Sequence, residues 1–243
     1  MTNKLLKNLF QRIVFYKPQR FYTILSSLIY SRRNGLSKYK HKIEGMLTLP
    51  EAVTLHKITH SLKAESKVLE IGCYGGLSTG FMLDGLKNKN CKLYSIDPFE
   101  LNIESQKRQV RKSCASKSKK LILESLKNKP KHKDVSKMLK NYGFTNFKLI
   151  QGYSNNVIKK WTKKLDVLWI DGDHGYNQVK KDFFDWTPFL KKGGILLLHD
   201  ANRSIFGNWG WKGPTKVAKE FIDKPKWINM KRVDSLVCVT KNH

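Results

Sequence analysis

Short apolar runs, each followed by glycine or polar residues and then by an amphipathic stretch, recur along most of the chain. Runs rich in Val, Ile and Leu are typical of buried strands, whereas apolar residues three or four positions apart are typical of one helix face. The strand-like runs are residues 67–71, 92–96, 147–150, 165–170, 195–198, 227–233 and 236–240. Because helical patterns separate the first five runs, we predict an α/β fold with a mostly parallel sheet.

The last two runs are joined only by Asp234 and Ser235, which predicts an antiparallel hairpin at the end of the sheet. The predicted fold class is therefore a three-layer α/β sandwich. Its central sheet has seven strands, is mostly parallel and finishes in a C-terminal antiparallel hairpin.

Two basic stretches lie outside this alternation of strands and helices. Residues 1–43 hold ten lysines and arginines and no acidic residue, with apolar residues at helical spacing from Leu5 to Val14 and from Phe21 to Tyr30. Residues 101–145 hold thirteen lysines and arginines, in a crossover that needs only about a dozen residues. We predict a basic helical extension at 1–43 and a domain at 44–243 that carries a basic helical insertion at 101–145.

Each basic stretch has two interpretations. The extension can lie on an anionic membrane surface, or it can pack on its own domain or on a dimer mate. The insertion is either a lid or polyanion-binding arm, or a pair of surface helices without a ligand. The pattern leaves both choices open.

Two helix starts are visible in the pattern. Thr48 and Glu51 are spaced as a capping box, and Pro50 suits an early helical position. Ser154 is expected to cap a helix that runs to Trp161. His56 and His60 lie four apart on the first of these helices, and we interpret them as a polar edge rather than as a metal pair.

The formal net charge is +28, from 47 lysines and arginines against 19 acidic residues. Such a charge attracts nucleic acid, anionic lipid or acidic substrates, although a lysine-rich coating without a specific partner gives the same count. The longest apolar stretch is too short to span a bilayer. Four scattered cysteines without a C-x-x-C pair indicate reduced thiols and no zinc site. We therefore expect a cytoplasmic protein, with peripheral membrane contact through the basic N-terminus as one option.

A glycine-containing turn follows the first strand, at Gly72-Cys-Tyr-Gly-Gly76. A strand, a glycine turn and a helix in this order form the first half of a nucleotide-binding unit. The dinucleotide pattern G-x-G-x-x-G is not met, because Tyr74 stands at its second glycine. Glu70 lies just before the turn and would repel a pyrophosphate, so a cationic amino-acid ligand is the better match.

At this turn the chain resembles class I S-adenosylmethionine (SAM)-dependent methyltransferases, whose fold is Rossmann-like. The stretch IDGDHGYNQVKKDFFDWTPFLKKGGILLLHDA, which ends at Ala201, resembles one branch of that family. This branch includes relatives of cephalosporin-hydroxylase-type and macrolide-sugar O-methyltransferases. A C-terminal hairpin is also how this fold ends, whereas a dehydrogenase domain would not be expected to have one.

The resemblance implies SAM as cofactor and a set of residues that bind it. Asp97 ends the second strand, where an α/β sheet presents an acid to a ribose. The expected cofactor-binding residues are Glu70, Gly72, Cys73, Tyr74, Gly76, Ser78, Thr79, Asp97, Pro98, Ser154, Asp171, Gly172, Asp173 and His174.

Polar residues also follow the fourth and fifth strands. Asp171 and Asp200 come from strands that should be neighbours, so together with His199 they are candidate ligands for Mg²⁺. Two departures argue against a metal: Ala201 stands where related catechol-type enzymes have Asn, and other relatives have an acid at His199. If no metal is bound, His174 is a candidate base for the acceptor hydroxyl. The other interpretation is that Asp173 and His174 only cap the next helix and contact adenine. The candidate catalytic residues are His174 and Asp171.

The function that these residues favour is methylation of a hydroxyl on a saccharide or another small acceptor. Trp209 and Trp211 follow the fifth strand and are candidates to stack on such an acceptor, or to cover the core. The charge leaves an RNA or DNA methyltransferase as an alternative. A SAM-binding protein without catalytic activity is a third.

Overall fold

The protein is described by a computed structural model over residues 18–40, 42–99, 130–202, 211–222 and 225–243. The first half of these residues forms helices α1 (Pro18–Arg33), α2 (Ser37–Lys40) and α3 (Leu49–His60), then β1 (Lys67–Ile71), α4 (Leu77–Gly85) and β2 (Lys92–Asp97). Next come α5 (His132–Asn141), β3 (Phe147–Gln151), α6 (Ser154–Val157) and β4 (Leu165–Ile170). The chain ends with α7 (Tyr176–Trp186), β5 (Leu190–Leu198), α8 (Lys212–Phe221), β6 (Trp227–Val233) and β7 (Leu236–Lys241).

The seven strands form one sheet in the order β3-β2-β1-β4-β5-β7-β6. The first five are parallel, and β7 pairs antiparallel with both β5 and β6. This sheet order confirms the predicted fold class, including the hairpin. The strand order reverses between β1 and β4, whose last residues Ile71 and Ile170 lie side by side. In such sheets the crevice beyond this reversal is where ligands bind.

Two apolar layers cover the sheet because its strand residues alternate between its faces. One face carries Val68, Val167 and Trp169 and packs against α3, α4 and α5. The other carries Leu69, Leu168 and Ile170 and packs against α7 and α8. Trp169 and Trp186 are among the largest fully buried side chains, one in each layer. The sheet is therefore covered on both sides, as the three-layer prediction requires.

The N-terminal part of the described chain packs onto the domain. Leu36, Tyr39 and Ile43 are buried in the same apolar layer as α3 and α4. The boundary at residue 43 stays a prediction, although it cuts through this packed segment. The predicted helix from Leu5 to Val14 and most of the 101–145 insertion lie outside the described residues, except that α5 forms as expected. No helix of the described ranges is both long and apolar enough to cross a membrane.

Three local predictions need correction. Tyr153, not Ser154, is the N-cap of α6, and that helix ends at Val157 and continues as a 3₁₀ turn, Ile158–Lys160. The helix predicted over residues 177–190, where apolar residues recur at helical spacing, is instead α7 from Tyr176 to Trp186, because Pro188 lies in a following 3₁₀ turn. His56 is not at a polar edge: it is buried, between the Tyr30 hydroxyl and the Asp84 carboxylate, each 3.0 Å away.

Candidate active site

The candidate site lies where β1, β4 and β5 end. The turn after β1 passes directly against the residue after β4: a Cβ at Gly72 would lie 2.1 Å from the backbone oxygen of Asp171. Gly72 and Gly76 both have positive φ, which a residue with a side chain rarely adopts. Glycine at position 72 lets the turn lie against the end of β4, whereas a Cβ at Gly76 would meet Val135 of α5 at 3.0 Å. The predicted residues Gly172 and Asp173 continue from the end of β4 towards α7.

Glu70 supports the turn from below, and its expected contact with the cofactor stays a prediction. Its side chain has no exposed surface, and its two oxygens accept hydrogen bonds from the hydroxyls of Ser78 (2.5 Å), Thr79 (2.6 Å) and Ser95 (2.5 Å). Burial raises the pKa of Glu70 to about 7, against the opposing effect of the three hydroxyls. Ser78 and Thr79 lie in the first turn of α4, so Glu70 joins β1 and β2 to the start of that helix.

Asp97 also binds the turn. Its Oδ2 accepts the backbone N–H groups of Cys73 (3.0 Å) and Tyr74 (2.8 Å), and its Oδ1 accepts that of Phe99 (2.7 Å). Pro98 lies between Asp97 and Phe99, and so begins the segment that leaves the sheet. Ribose binding by Asp97 stays a prediction. The geometry shows that Asp97 holds the backbone of the predicted cofactor loop in one conformation.

Ser154 is buried beside α7 instead of facing the turn. Its hydroxyl donates to Asp182 Oδ1 at 2.6 Å, and Gln178 donates to the same oxygen at 3.0 Å. Burial raises the pKa of Asp182 to about 6, although both donors lower it. The cofactor contact expected of Ser154 stays a prediction, and its hydroxyl is already engaged within the protein.

Carboxylates and imidazoles alternate at the ends of β4 and β5. His199 Nδ1 lies 2.8 Å from Asp171 Oδ1, and His174 Nε2 lies 3.0 Å from Asp200 Oδ2. The two pairs touch, because His174 Nε2 is 3.7 Å from Asp171 and His199 Nδ1 is 3.7 Å from Asp200. The sequence predicted all four as site residues, and the structure brings them into one cluster.

Glu51 is a member of this cluster that sequence reasoning missed. It was assigned only to the helix cap, and its Oε2 does accept the Thr48 N–H at 2.9 Å. The same oxygen lies 3.5 Å from His199 Nε2, while Oε1 accepts the backbone N–H and the hydroxyl of Ser235. Glu51 is buried, and no pattern along the chain links it to β5 or to the hairpin.

The charges of the cluster compensate one another. Burial opposes a charge on His199, but Asp171, Asp200 and Glu51 outweigh it and raise the His199 pKa well above its usual range. Burial raises the pKa of Asp171, partly offset by His199. Burial would also raise the pKa of Asp200, but His199 and His174 lower it overall. The carboxylates around His199 therefore favour its charged form.

The donor set is a poor match for Mg²⁺, which prefers oxygen ligands. The described candidates whose ligand atoms converge are Asp171, His174 and His199, two of them imidazoles. Both ring nitrogens of His199 face carboxylates, so its charged form offers no lone pair to a metal. Magnesium binding by Asp171, His199 and Asp200 stays a prediction against which this geometry argues.

The outer wall of the site comes from the start of α8. The Trp211 ring lies 4.7 Å from the His174 ring, centroid to centroid. The backbone N–H of Trp211 donates to the backbone oxygen of Asp200. Gly213 permits this approach, because a Cβ there would lie 2.2 Å from the His174 backbone oxygen. A small pocket opens between these elements and includes His174, His199 and Pro214 in its lining. Trp209 lies outside the described residues.

Comparison with known proteins agrees with this architecture. Residues 69–201, more than half of the chain, match a family model described as a methyltransferase domain. Protein R132 of Acanthamoeba polyphaga mimivirus, named as uncharacterized, is 27% identical over 140 residues, which are 57% of this chain and 52% of that protein. The chain spans about half or less of the length of the curated relatives it matches.

Two solved structures share the fold at low identity. The SAH-bound methyltransferase PaMTH1 of Podospora anserina is 14% identical, with a TM-score of 0.56 over 100% of this chain and 97% of that chain. The O-methyltransferase NovP is 14% identical, with a TM-score of 0.56 over 82% of this chain and 84% of that chain. The family match over more than half of the chain, on a sheet of this order, shows that the protein belongs to the class I SAM-dependent methyltransferases.

Proposed function

We propose that this protein transfers a methyl group from SAM to a hydroxyl of a small acceptor, with a saccharide as the favoured class. The observation that carries the proposal is the His174–Asp200 pair, at 3.0 Å, beside the crevice between β1 and β4. A hydroxyl must lose its proton as it is methylated, and an imidazole held by a carboxylate is suited to accept it.

The turn after β1 is the proposed binding site for the methionine part of SAM. Gly76 is the N-cap of α4 and has no side chain to cap the helix, so the first-turn amides favour a carboxylate there. Glu70 and Asp97 hold the turn in shape before any ligand arrives. When bound, SAM supplies a methyl group activated by a sulfonium.

His174 is proposed to hold and move the proton. With Nε2–H donating to Asp200, the neutral form of the ring keeps its lone pair on Nδ1 for the proton of the acceptor hydroxyl. Burial lowers the His174 pKa, but Asp200 and Asp171 outweigh it and raise this pKa, so the neutral form that acts as the base increases as pH rises. Asp200 stays ionised, since His199 and His174 lower its pKa against the effect of burial, and it stabilises the imidazolium that forms. Trp211 fixes the ring from one side. No step is assigned to a metal, since His199 already supplies a positive charge between the carboxylates.

The test is methyl transfer from SAM carrying a labelled methyl group, measured with a panel of saccharides and small hydroxylated compounds. We expect labelled product with and without EDTA. His174→Gln should lower the turnover number by about 100-fold or more, because the base is lost. His60→Gln is the matched control, as it removes an exposed imidazole outside the cluster, and it should leave turnover unchanged.

The net charge of +28 favours one second candidate, an RNA acceptor. The same labelling reaction with total RNA discriminates the two. If RNA becomes labelled while every small hydroxyl compound stays unlabelled, RNA methylation replaces methylation of a small acceptor as the proposed function. Equal turnover numbers for the His174→Gln variant and the wild type would contradict the proposed role of His174 as the base.

A further inference from the structure

The α1 helix is turned with its apolar side outwards. Ser27 and Ser31 face the domain and are each 5% exposed, whereas Leu25, Leu28 and Ile29 are 39%, 45% and 45% exposed. A surface helix ordinarily buries its apolar side and exposes its polar side. Here the arrangement is reversed, so the apolar stripe of Leu25, Leu28 and Ile29 is available to something outside the described domain.

This orientation is fixed by contacts on the opposite side of the helix. The Tyr30 hydroxyl lies 3.0 Å from His56 Nδ1, and His56 Nε2 lies 3.0 Å from Asp84 Oδ2. Asp84 also accepts a hydrogen bond from the Tyr39 hydroxyl in α2. Rolling α1 to bury the stripe would break the bond between Tyr30 and the buried His56. The stripe is therefore a stable feature of the surface.

Basic residues continue the stripe along the helix. Arg32 and Arg33 follow Leu28 and Ile29 by four residues, so they lie on the same face one turn later, and both are exposed. Lys38 and Lys42 follow in the next segment and are exposed as well. No acidic residue occurs before Glu44. The surface thus combines apolar side chains with a flank of positive charge only.

Charge decides between the classes of occupant. A second copy of a chain with net charge +28 would bring like charges together, which opposes association. RNA would match the charge but offers no apolar surface to cover leucine and isoleucine. An anionic lipid bilayer matches both parts, since its interior takes the stripe and its headgroups take the arginines.

We propose that α1 is a membrane-docking surface, on which Leu25, Leu28 and Ile29 enter the interface of an anionic bilayer while Arg32 and Arg33 contact its phosphate groups. The proposal does not depend on the reaction that the domain catalyses. It places the methyltransferase site at a lipid surface, where a membrane-associated acceptor would be within reach.

The experiment is co-sedimentation of the full chain with vesicles of pure phosphatidylcholine and of phosphatidylcholine with phosphatidylglycerol. We expect binding to the anionic vesicles, weakened as NaCl rises because salt screens the arginine contacts. Changing Leu25, Leu28 and Ile29 together to Ser should weaken binding about tenfold or more. Met230→Ser, which removes an equally exposed apolar side chain from β6, should bind like the wild type.

A second variant guards against misfolding of the triple variant. Arg32→Glu with Arg33→Glu keeps the stripe and should lose the preference for anionic vesicles. Circular dichroism verifies that each variant is folded. The proposal is overturned by absent vesicle binding, by unchanged binding of both variants, or by a wild-type dimer in light scattering that the triple variant loses.

Discussion

At the scale of single residues, the buried acids of the site serve the protein's own structure. Glu70 accepts three hydroxyls, Asp97 accepts three backbone amides, and Glu51 accepts two groups of Ser235. A buried carboxylate is costly unless donors of this kind satisfy it. These acids therefore give the site its shape, and the His174–Asp200 pair is left for the proposed proton transfer.

Asp182 makes the stability of the protein depend on pH. Its pKa is raised to about 6, so between roughly pH 4 and pH 6 the folded chain binds more protons than the unfolded chain. Stability from this residue is thus present at low pH and is lost as pH rises through that window. Asp182→Asn keeps the Oδ1 acceptor for Ser154 and Gln178 but removes the charge. We expect the free energy of unfolding of this variant, relative to that of the wild type, to increase by about 2 kcal/mol as the pH is raised from 4.5 to 7.5. Urea unfolding at both pH values measures it.

Asp134→Asn is the control for this prediction, because Asp134 is an exposed aspartate on a different helix, α5. Its unfolding free energy should follow the wild-type pH profile. Parallel profiles for Asp182→Asn and the wild type would contradict the assignment of the raised pKa.

The sequence predicted most residues of the cluster but not the residues that they contact. His174, His199 and both aspartates were predicted because each follows a recognisable strand. Glu51 was missed because its contact with His199 joins a helix start to a strand end far along the chain. Ser154 was assigned to a cap because its type suits that role, whereas its hydroxyl bonds to Asp182 in a later helix. Such long-range partners leave no local pattern.

At the scale of elements, the turn between β1 and α4 depends on Gly72. A Cβ there would meet the Asp171 backbone oxygen at 2.1 Å, and neither strand end can move without shifting the sheet. Gly72→Ala should lower the free energy of unfolding by on the order of 3 kcal/mol, measured by chemical denaturation. The expected reason is the clash combined with the strained positive φ of 96°.

Gly143→Ala separates the clash from the strain. Gly143 also has a positive φ, of 80°, but a Cβ there would meet nothing within 4 Å. Only the backbone strain remains, so the loss should be about 1 kcal/mol. Equal losses for the two variants would show that the contact with Asp171 is unimportant.

Elements were the most predictable scale, for a physical reason. Strands such as 67–71 and 165–170 are mostly apolar because both faces of a parallel sheet are covered. The hairpin was predictable because two residues join its strands. The ends of helices were less predictable. The apolar spacing of α7 continues to Leu190, but the helix ends at Trp186 because Pro188 lies in the following 3₁₀ turn and β5 begins directly after it.

At the scale of the whole molecule, the domain is a methyltransferase fold with a strongly positive surface. The basic segment that contains α1 and α2 packs on the domain, where Tyr30 contacts His56 and His56 contacts Asp84. One side of the fold thus carries the proposed chemistry at the sheet edge, and the N-terminal helix carries the proposed docking surface. The proposed chemistry depends on a domain that binds SAM at the β1 turn.

Calorimetric titration of S-adenosylhomocysteine into the full chain tests that dependence most directly. We predict one saturable site per chain with a dissociation constant of roughly 1–100 μM. The Gly143→Ala variant should retain the site. Absence of saturable binding to wild-type protein whose circular dichroism shows it to be folded would contradict the account.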